Sequence, residues 1–211
     1  MEFVYVVPRE ALFPDCYPQG LVPFGGGDGE TDRAAFLERI EANGFFVERA
    51  YAERTPTLKQ VIPYTVVVSG DGGVFLTKRL PQGGESRLVG KLSIGIGGHI
   101  NPVDHGDIIA EGTARELEEE LELGGDGRLE PVGIINDDSN PVGAVHVGLV
   151  QVLFLPTNDA RVREEDVLEG HFVEQGELVR LLEDQAPYET WSRMLVERID
   201  ELLSLPQPAL S

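Results

Sequence analysis

Residues 97–123 read Gly-Gly-His-Ile-Asn-Pro-Val-Asp-His-Gly-Asp-Ile-Ile-Ala-Glu-Gly-Thr-Ala-Arg-Glu-Leu-Glu-Glu-Glu-Leu-Glu-Leu. The second half predicts a helix with two different faces. Ala110, Ala114, Leu117 and Leu121 recur at i, i+4, i+7 and i+11, an apolar stripe fit to sit on a core. Glu116, Glu119 and Glu120 recur at i, i+3 and i+4, so their carboxylates gather on another face. Arg115 stands four residues before Glu119 and is placed to brace that face. Carboxylates so spaced repel one another unless a cation neutralises them. The helix follows Gly97-Gly98, whose backbone a ligand can approach closely. Oxygen-only ligands in a tight cluster suit Mg²⁺ or Mn²⁺, whereas Glu118 and Glu122 read as solvated.

At these residues the chain resembles the Nudix hydrolases. Their box runs Gly, five residues, Glu, seven residues, Arg-Glu-apolar-x-Glu-Glu-x-Gly-apolar. Gly98, five residues and Asp104 match its first part with Asp for Glu, and Arg115-Glu116-Leu117-Glu118-Glu119-Glu120 match its core without a gap. Ten residues rather than seven separate Asp104 from Arg115, so His105-Gly106-Asp107 reads as an insertion. Glu122 takes the place of the box glycine, and Gly124-Gly125 is expected to stop the helix slightly later. The run Gly-Gly-His-Ile-Asn is similar to a variant box found in a predicted-phosphoesterase subset of the family.

The resemblance implies an α/β fold, the Nudix α/β/α sandwich with a mixed sheet, over residues 60–205. Residues 1–59 would be an N-terminal extension and 206–211 a tail. It implies hydrolysis of a phosphoanhydride, with Mg²⁺ or Mn²⁺ held by Glu116, Glu119, Glu120 and the carbonyl of Gly97. Glu119 and Glu120 would be catalytic, with Arg115 orienting Glu119 or Asp104. A further acid is expected among Glu164, Glu165, Asp166 and Glu169, as metal ligand or base. A nucleotide or sugar sensor that does not cleave is the alternative. The family's isoprenoid-diphosphate isomerase branch needs a catalytic cysteine, and Cys16 lies outside the matched region. Homodimers are common among similar proteins.

Bulk properties narrow the partners. At 211 residues and 41% apolar composition the chain can bury a substantial core. A net charge of -20 argues against a nucleic acid polymer as partner. One cysteine excludes an intrachain disulfide. No signal peptide or membrane-length apolar run is evident, so a cytoplasmic protein without a membrane partner is expected, and the resemblance implies a small-molecule diphosphate substrate. Against this acidic background, residues 54–91 carry a net +4 and all three lysines. Lys78 and Arg79 end a strand that leads toward the box loop in the Nudix arrangement, which makes them the expected phosphate contacts. His99, inside the loop, is the expected substrate contact among the histidines, whereas His146 reads as packed within its strand.

Around the box, residues 2–7, 44–49, 64–68, 74–77, 129–135, 144–155 and 170–174 read as strands. Ser69-Gly70-Asp71-Gly72-Gly73 turns one hairpin. Thr31 or Asp32 is expected to cap a helix through Ala42, with Phe36, Leu37 and Ile40 inward. A continuous amphipathic helix is expected over 188–203, with Trp191, Leu195, Ile199 and Leu202 as its apolar stripe.

Overall fold

The computed structural model describes residues 1–25, 32–81, 89–104 and 106–204. Thr31, the basic residue Arg87, His105 and the tail lie outside the described residues. In chain order the elements begin β1 (Phe3–Pro8), α1 (Arg9–Leu12), β2 (Gly20–Pro23), α2 (Arg33–Asn43), β3 (Phe45–Glu48), α3 (Arg49–Ala52) and β4 (Leu58–Val68). Next come β5 (Val74–Arg79), β6 (Leu92–Ser93), β7 (Gly95–Gly97), α4 (Ile108–Glu120), β8 (Leu121–Leu123) and β9 (Arg128–Asn136). After a 3-10 turn at Gly143–Val145 follow β10 (His146–Phe154), β11 (Ala160–Val162), β12 (Leu168–Val173), α5 (Gln175–Glu183), α6 (Thr190–Val196) and α7 (Ile199–Leu203). The class is α/β, strands in a mixed sheet with helices.

The chain divides into two compact units. The first is Met1–Thr65, Ile96–Glu119 and Gly133–Gln151. Within it β1 pairs antiparallel with β3 and β4, and β2 pairs antiparallel with β9. Residues 1–59 therefore belong to the same unit as the loop and most of the helix of the box. Tyr5, Leu12, Phe36, Ile40, Val61, Ile100 and Val147 form the centre of its core, against which Ile108 and Ile109 of α4 pack. Burying each such side chain stabilises the fold by about 1.5–3 kcal/mol. Asp32 caps α2, its Oδ1 accepting from the Ala35 N–H at 2.7 Å. Lys59, fully buried, spends its three protons inside this unit, on Asp138 Oδ1 (2.8 Å) and the carbonyls of Gly143 and His146. Its charge holds the 136–146 loop in place and faces no substrate.

Opposite faces of β4 and β10 differ in kind. Thr65 Oγ1 lies 3.2 Å from Gln151 Oε1, so these two side chains share a face. Gln60 and His146 each lie five residues earlier and so project to the other face. Gln60 is fully buried there, register partner of Val6, and among the described residues neither atom of its amide has a hydrogen-bond partner.

The second unit is Val66–Gly95, Glu120–Val132 and Val152–Ser211. In it β5 pairs antiparallel with β12 and with β6, and β8 with β11. Phe75 and Phe172 meet edge to face across the β5–β12 pair at 5.1 Å. Ser192 on α6 accepts from the Ile94 N–H (2.8 Å) and shares a proton with Ser93 (3.0 Å). Tyr188 is buried with its hydroxyl on the Leu178 carbonyl, and burial pushes its phenol up to about 12. The helix expected over 188–203 is two helices, broken at Glu197–Arg198, where Arg198 leaves helical geometry with φ -129°. Leu195, Ile199 and Leu202 are buried as expected, because the break keeps them on the covered side.

Candidate active site

Helix α4 begins at Ile108, two residues before the first residue of its expected apolar stripe, because the inserted triplet ends in a cap. Asp107 Oδ1 accepts from the Ala110 N–H at 3.1 Å, the N-cap to N3 bond. Gly106 before it takes φ +68°, a left-handed bend that favours glycine. Its buried face carries Gly112, Thr113 and Leu117, with Ile109 packed beside them. Ala110 and Ala114 are exposed, so the apolar stripe expected from them is displaced by one position. Leu121 is buried, but in β8 and not in the helix. The helix ends in strand at that point, so Gly124 and Gly125 do not stop it.

Arg115 organises the rest. Its Nε and Nη2 donate to Asp104 (3.1 and 3.3 Å), its Nη1 to Glu116 Oε1 (2.7 Å) and Glu119 Oε1 (3.3 Å). Nη2 also donates to the His99 carbonyl (2.6 Å) and to Asn101 Oδ1 (3.2 Å). One guanidinium thus ties the Gly-Gly loop to the carboxylate face of the helix. Burial works against its charge, but the bonds to Asp104 and Glu116 hold its pKa above the usual arginine value. Asp104, 6% exposed, also accepts from the Asn101 N–H at 2.8 Å and so closes the loop. Its geometry is that of a brace on Arg115, the role left open by the long spacer.

The loop's glycines are required by close approach. A Cβ on Gly98 would collide with the Glu116 carboxylate, and one on Gly97 with the Pro63 carbonyl. The Glu116 carboxyl is raised above its ordinary pKa by burial, against the lowering pull of Arg115. A carboxylate so desolvated gains from a cation beside it.

The donor chemistry fits a hard divalent ion. Glu116 and Glu119 present oxygens that converge on the same nitrogen of Arg115, and every candidate ligand is oxygen. Among the described residues, no three Asp, Glu, His or Cys side chains converge closely enough to hold an ion in these rotamers. Glu119 is exposed, with Arg115 as its ion-pair partner.

Glu120 and the two basic candidates lie in the second unit. Arg79 donates to Glu120 Oε1 at 3.3 Å, both partly exposed, so one expected phosphate contact pairs with one expected metal ligand. Lys78 is exposed on β5, opposite Glu169 of β12. Glu164, Glu165, Asp166 and Glu169 are all exposed, and burial does not choose among them.

His99 and His146, forty-seven residues apart, meet with Nε2 atoms 3.3 Å apart. Burial lowers both, with the Arg49 guanidinium adding to it, and His99 falls to about 4. A lone histidine in an apolar strand gave no sign of this partnership. Only the period-2 projection of β10 together with the position of the box loop could have suggested it.

No family model matches the chain. Protein YmaB of Bacillus subtilis (strain 168) is 37% identical to it over 207 residues, 94% of this chain and 98% of that protein. The solved structure of Tm1382, a candidate Nudix hydrolase, superposes with a TM-score of 0.77 at 29% identity, covering 95% of this chain and 99% of that one. The Nudix domain of NrtR from Shewanella oneidensis, solved with ADP-ribose, shares the fold at a TM-score of 0.55 and 14% identity, over 69% of this chain and 89% of that one. With the box residues in place on α4 and its preceding loop, and with structural likeness over nearly its whole length, the chain belongs to the Nudix family.

Proposed function

We propose that this protein hydrolyses a phosphoanhydride in a metal-dependent reaction, on a nucleoside diphosphate linked to a second group or a related substrate. The observation that carries this reading is the single Arg115 nitrogen on which Glu116 and Glu119 oxygens converge, directly beside the Gly97-Gly98 loop. Glu116, Glu119, Glu120 and the Gly97 carbonyl would hold Mg²⁺ or Mn²⁺. When bound, the ion polarises phosphoryl oxygens and acidifies a water for attack at phosphorus. Glu119 or Glu120, or an acid from 164–169, takes that water's proton. Arg115 orients the carboxylates, a supporting role that fixes geometry without reacting. Lys78 and Arg79 contact the phosphates as point charge and fork, and His99 contacts the substrate.

The test is a panel of nucleoside triphosphates, nucleotide sugars, dinucleotides and ADP-ribose with Mg²⁺ or Mn²⁺, scored for released phosphate or nucleotide. Turnover of one class that stops on chelation supports the proposal. A nucleotide or sugar sensor that binds without cleaving is the alternative outcome. Tight binding of one ligand with no cleavage of any would decide for the sensor.

A further inference from the structure

His146 Nδ1 lies 2.7 Å from the Val142 carbonyl oxygen, which can only accept, so this nitrogen carries the proton. In a neutral ring that leaves His146 Nε2 as a bare lone pair. The facing Nε2 of His99, 3.3 Å away, must then be the donor of the contact between them. It follows that His99 Nδ1 is unprotonated and presents an acceptor. Among the described residues no protein donor meets it. Both rings are only partly covered. The position is defined relative to the carboxylate face, since the backbone carbonyl of His99 is fixed at 2.6 Å by the same guanidinium that holds Glu116 and Glu119.

We propose that His99 is a specificity-determining residue whose Nδ1 accepts a hydrogen bond from a sugar hydroxyl next to the substrate's diphosphate, and that His146 is the positioning residue that locks it as an acceptor. A bare imidazole nitrogen is repelled by phosphate oxygens and is matched by an O–H donor. His99 directly follows Gly98, which matches its acceptor to the sugar attached to the diphosphate rather than to a more distant base. The proposal rests on the diphosphate reading of the site. It adds a hydroxyl requirement and a second residue, His146, that touches no substrate.

The test is calorimetric binding of the full chain, with Mg²⁺, to the α,β-methylene analogues of the four ribonucleoside diphosphates and to their 2′-deoxy and 3′-deoxy forms. The wild type is expected to lose roughly tenfold or more in affinity when one of the two hydroxyls is removed, the size expected for an acceptor left unmet. In His99→Phe that discrimination vanishes, and His99→Asn, which restores an acceptor, recovers part of it. In His146→Phe discrimination falls because the His99 tautomer is no longer fixed. Equal affinity of the wild type for all three sugar forms, or full discrimination retained in His146→Phe, would overturn this inference while leaving diphosphate binding intact. Binding of no analogue at all would overturn the diphosphate reading and this inference with it. Imidazole ¹H–¹⁵N correlation spectra of the unmutated protein check the lock without any substitution. The expected pattern is Nδ1–H on His146 and Nε2–H on His99, and the reverse pattern on either ring would overturn the proposal.

Discussion

Arg115 Nη2 donates to the His99 carbonyl oxygen at 2.6 Å, joining the middle of the box helix to the residue that follows the box glycines. The same side chain reaches Asp104, Asn101, Glu116 and Glu119, so removing its fork releases the loop and the carboxylates together. A lysine keeps the charge but offers one point donor in place of a planar fork. Arg115→Lys is expected to lower metal-dependent turnover by about 10- to 100-fold, the range for lost support of a metal site. Steady-state kinetics on the substrate found in the panel, beside a circular dichroism spectrum, measures this.

Gly98 has no room for a side chain, because a Cβ would overlap the Glu116 carboxylate. Gly98→Ala is expected to displace Glu116 and weaken Mn²⁺ binding by about tenfold. A titration followed by electron paramagnetic resonance reads the change. Gly125→Ala, where a Cβ meets nothing within 4 Å, serves as the control.

Gln60 buries an amide that meets no partner among the described residues, which costs about 1–3 kcal/mol. Gln60→Met keeps the length and removes the polar atoms. It is expected to raise stability by about 1 kcal/mol, seen as a Tm increase of about 2–4 °C in a chain of this size. An unchanged or lower Tm would show that the amide is hydrogen-bonded in solution.

The two lowered histidines tie stability to pH. In the unfolded chain each imidazole takes a proton below its ordinary value of 6.5, whereas folded His99 does so only near 4. Between those values the unfolded state binds more protons, so stability rises with pH. Cooling the comparison to one variable, wild type and His146→Asn are expected to differ in slope. Tm of the wild type should fall more steeply as pH drops from 6.5 toward 4, and the two should run parallel above pH 7 in a calorimetric series.

The box itself was legible because its carboxylates and arginine sit in one unbroken run whose spacing is local. The inward face of the same helix differs from its alanine stripe because a glycine and a threonine, Gly112 and Thr113, are buried in place of Ala110 and Ala114. An Asp three residues before Ala110 is an N-cap signal that fixes the helix start, whereas the inward side is marked by Thr113 bonding Gln151 at 2.9 Å, a partner 38 residues away. Lys59 looked like part of a basic surface, since its partner Asp138 is 79 residues away and no local pattern links them. The break at Arg198 was hidden for the opposite reason. Its buried residues keep helical spacing across it, so periodicity alone reads one helix.

The central claim is that Glu119 and Glu120, with Glu116, carry metal-dependent cleavage. The direct measurement is turnover of the double variant Glu119→Gln, Glu120→Gln in Mg²⁺ and Mn²⁺, with circular dichroism to verify the fold. Loss of turnover with an unchanged spectrum is the predicted result, and full activity in the folded double variant would contradict it.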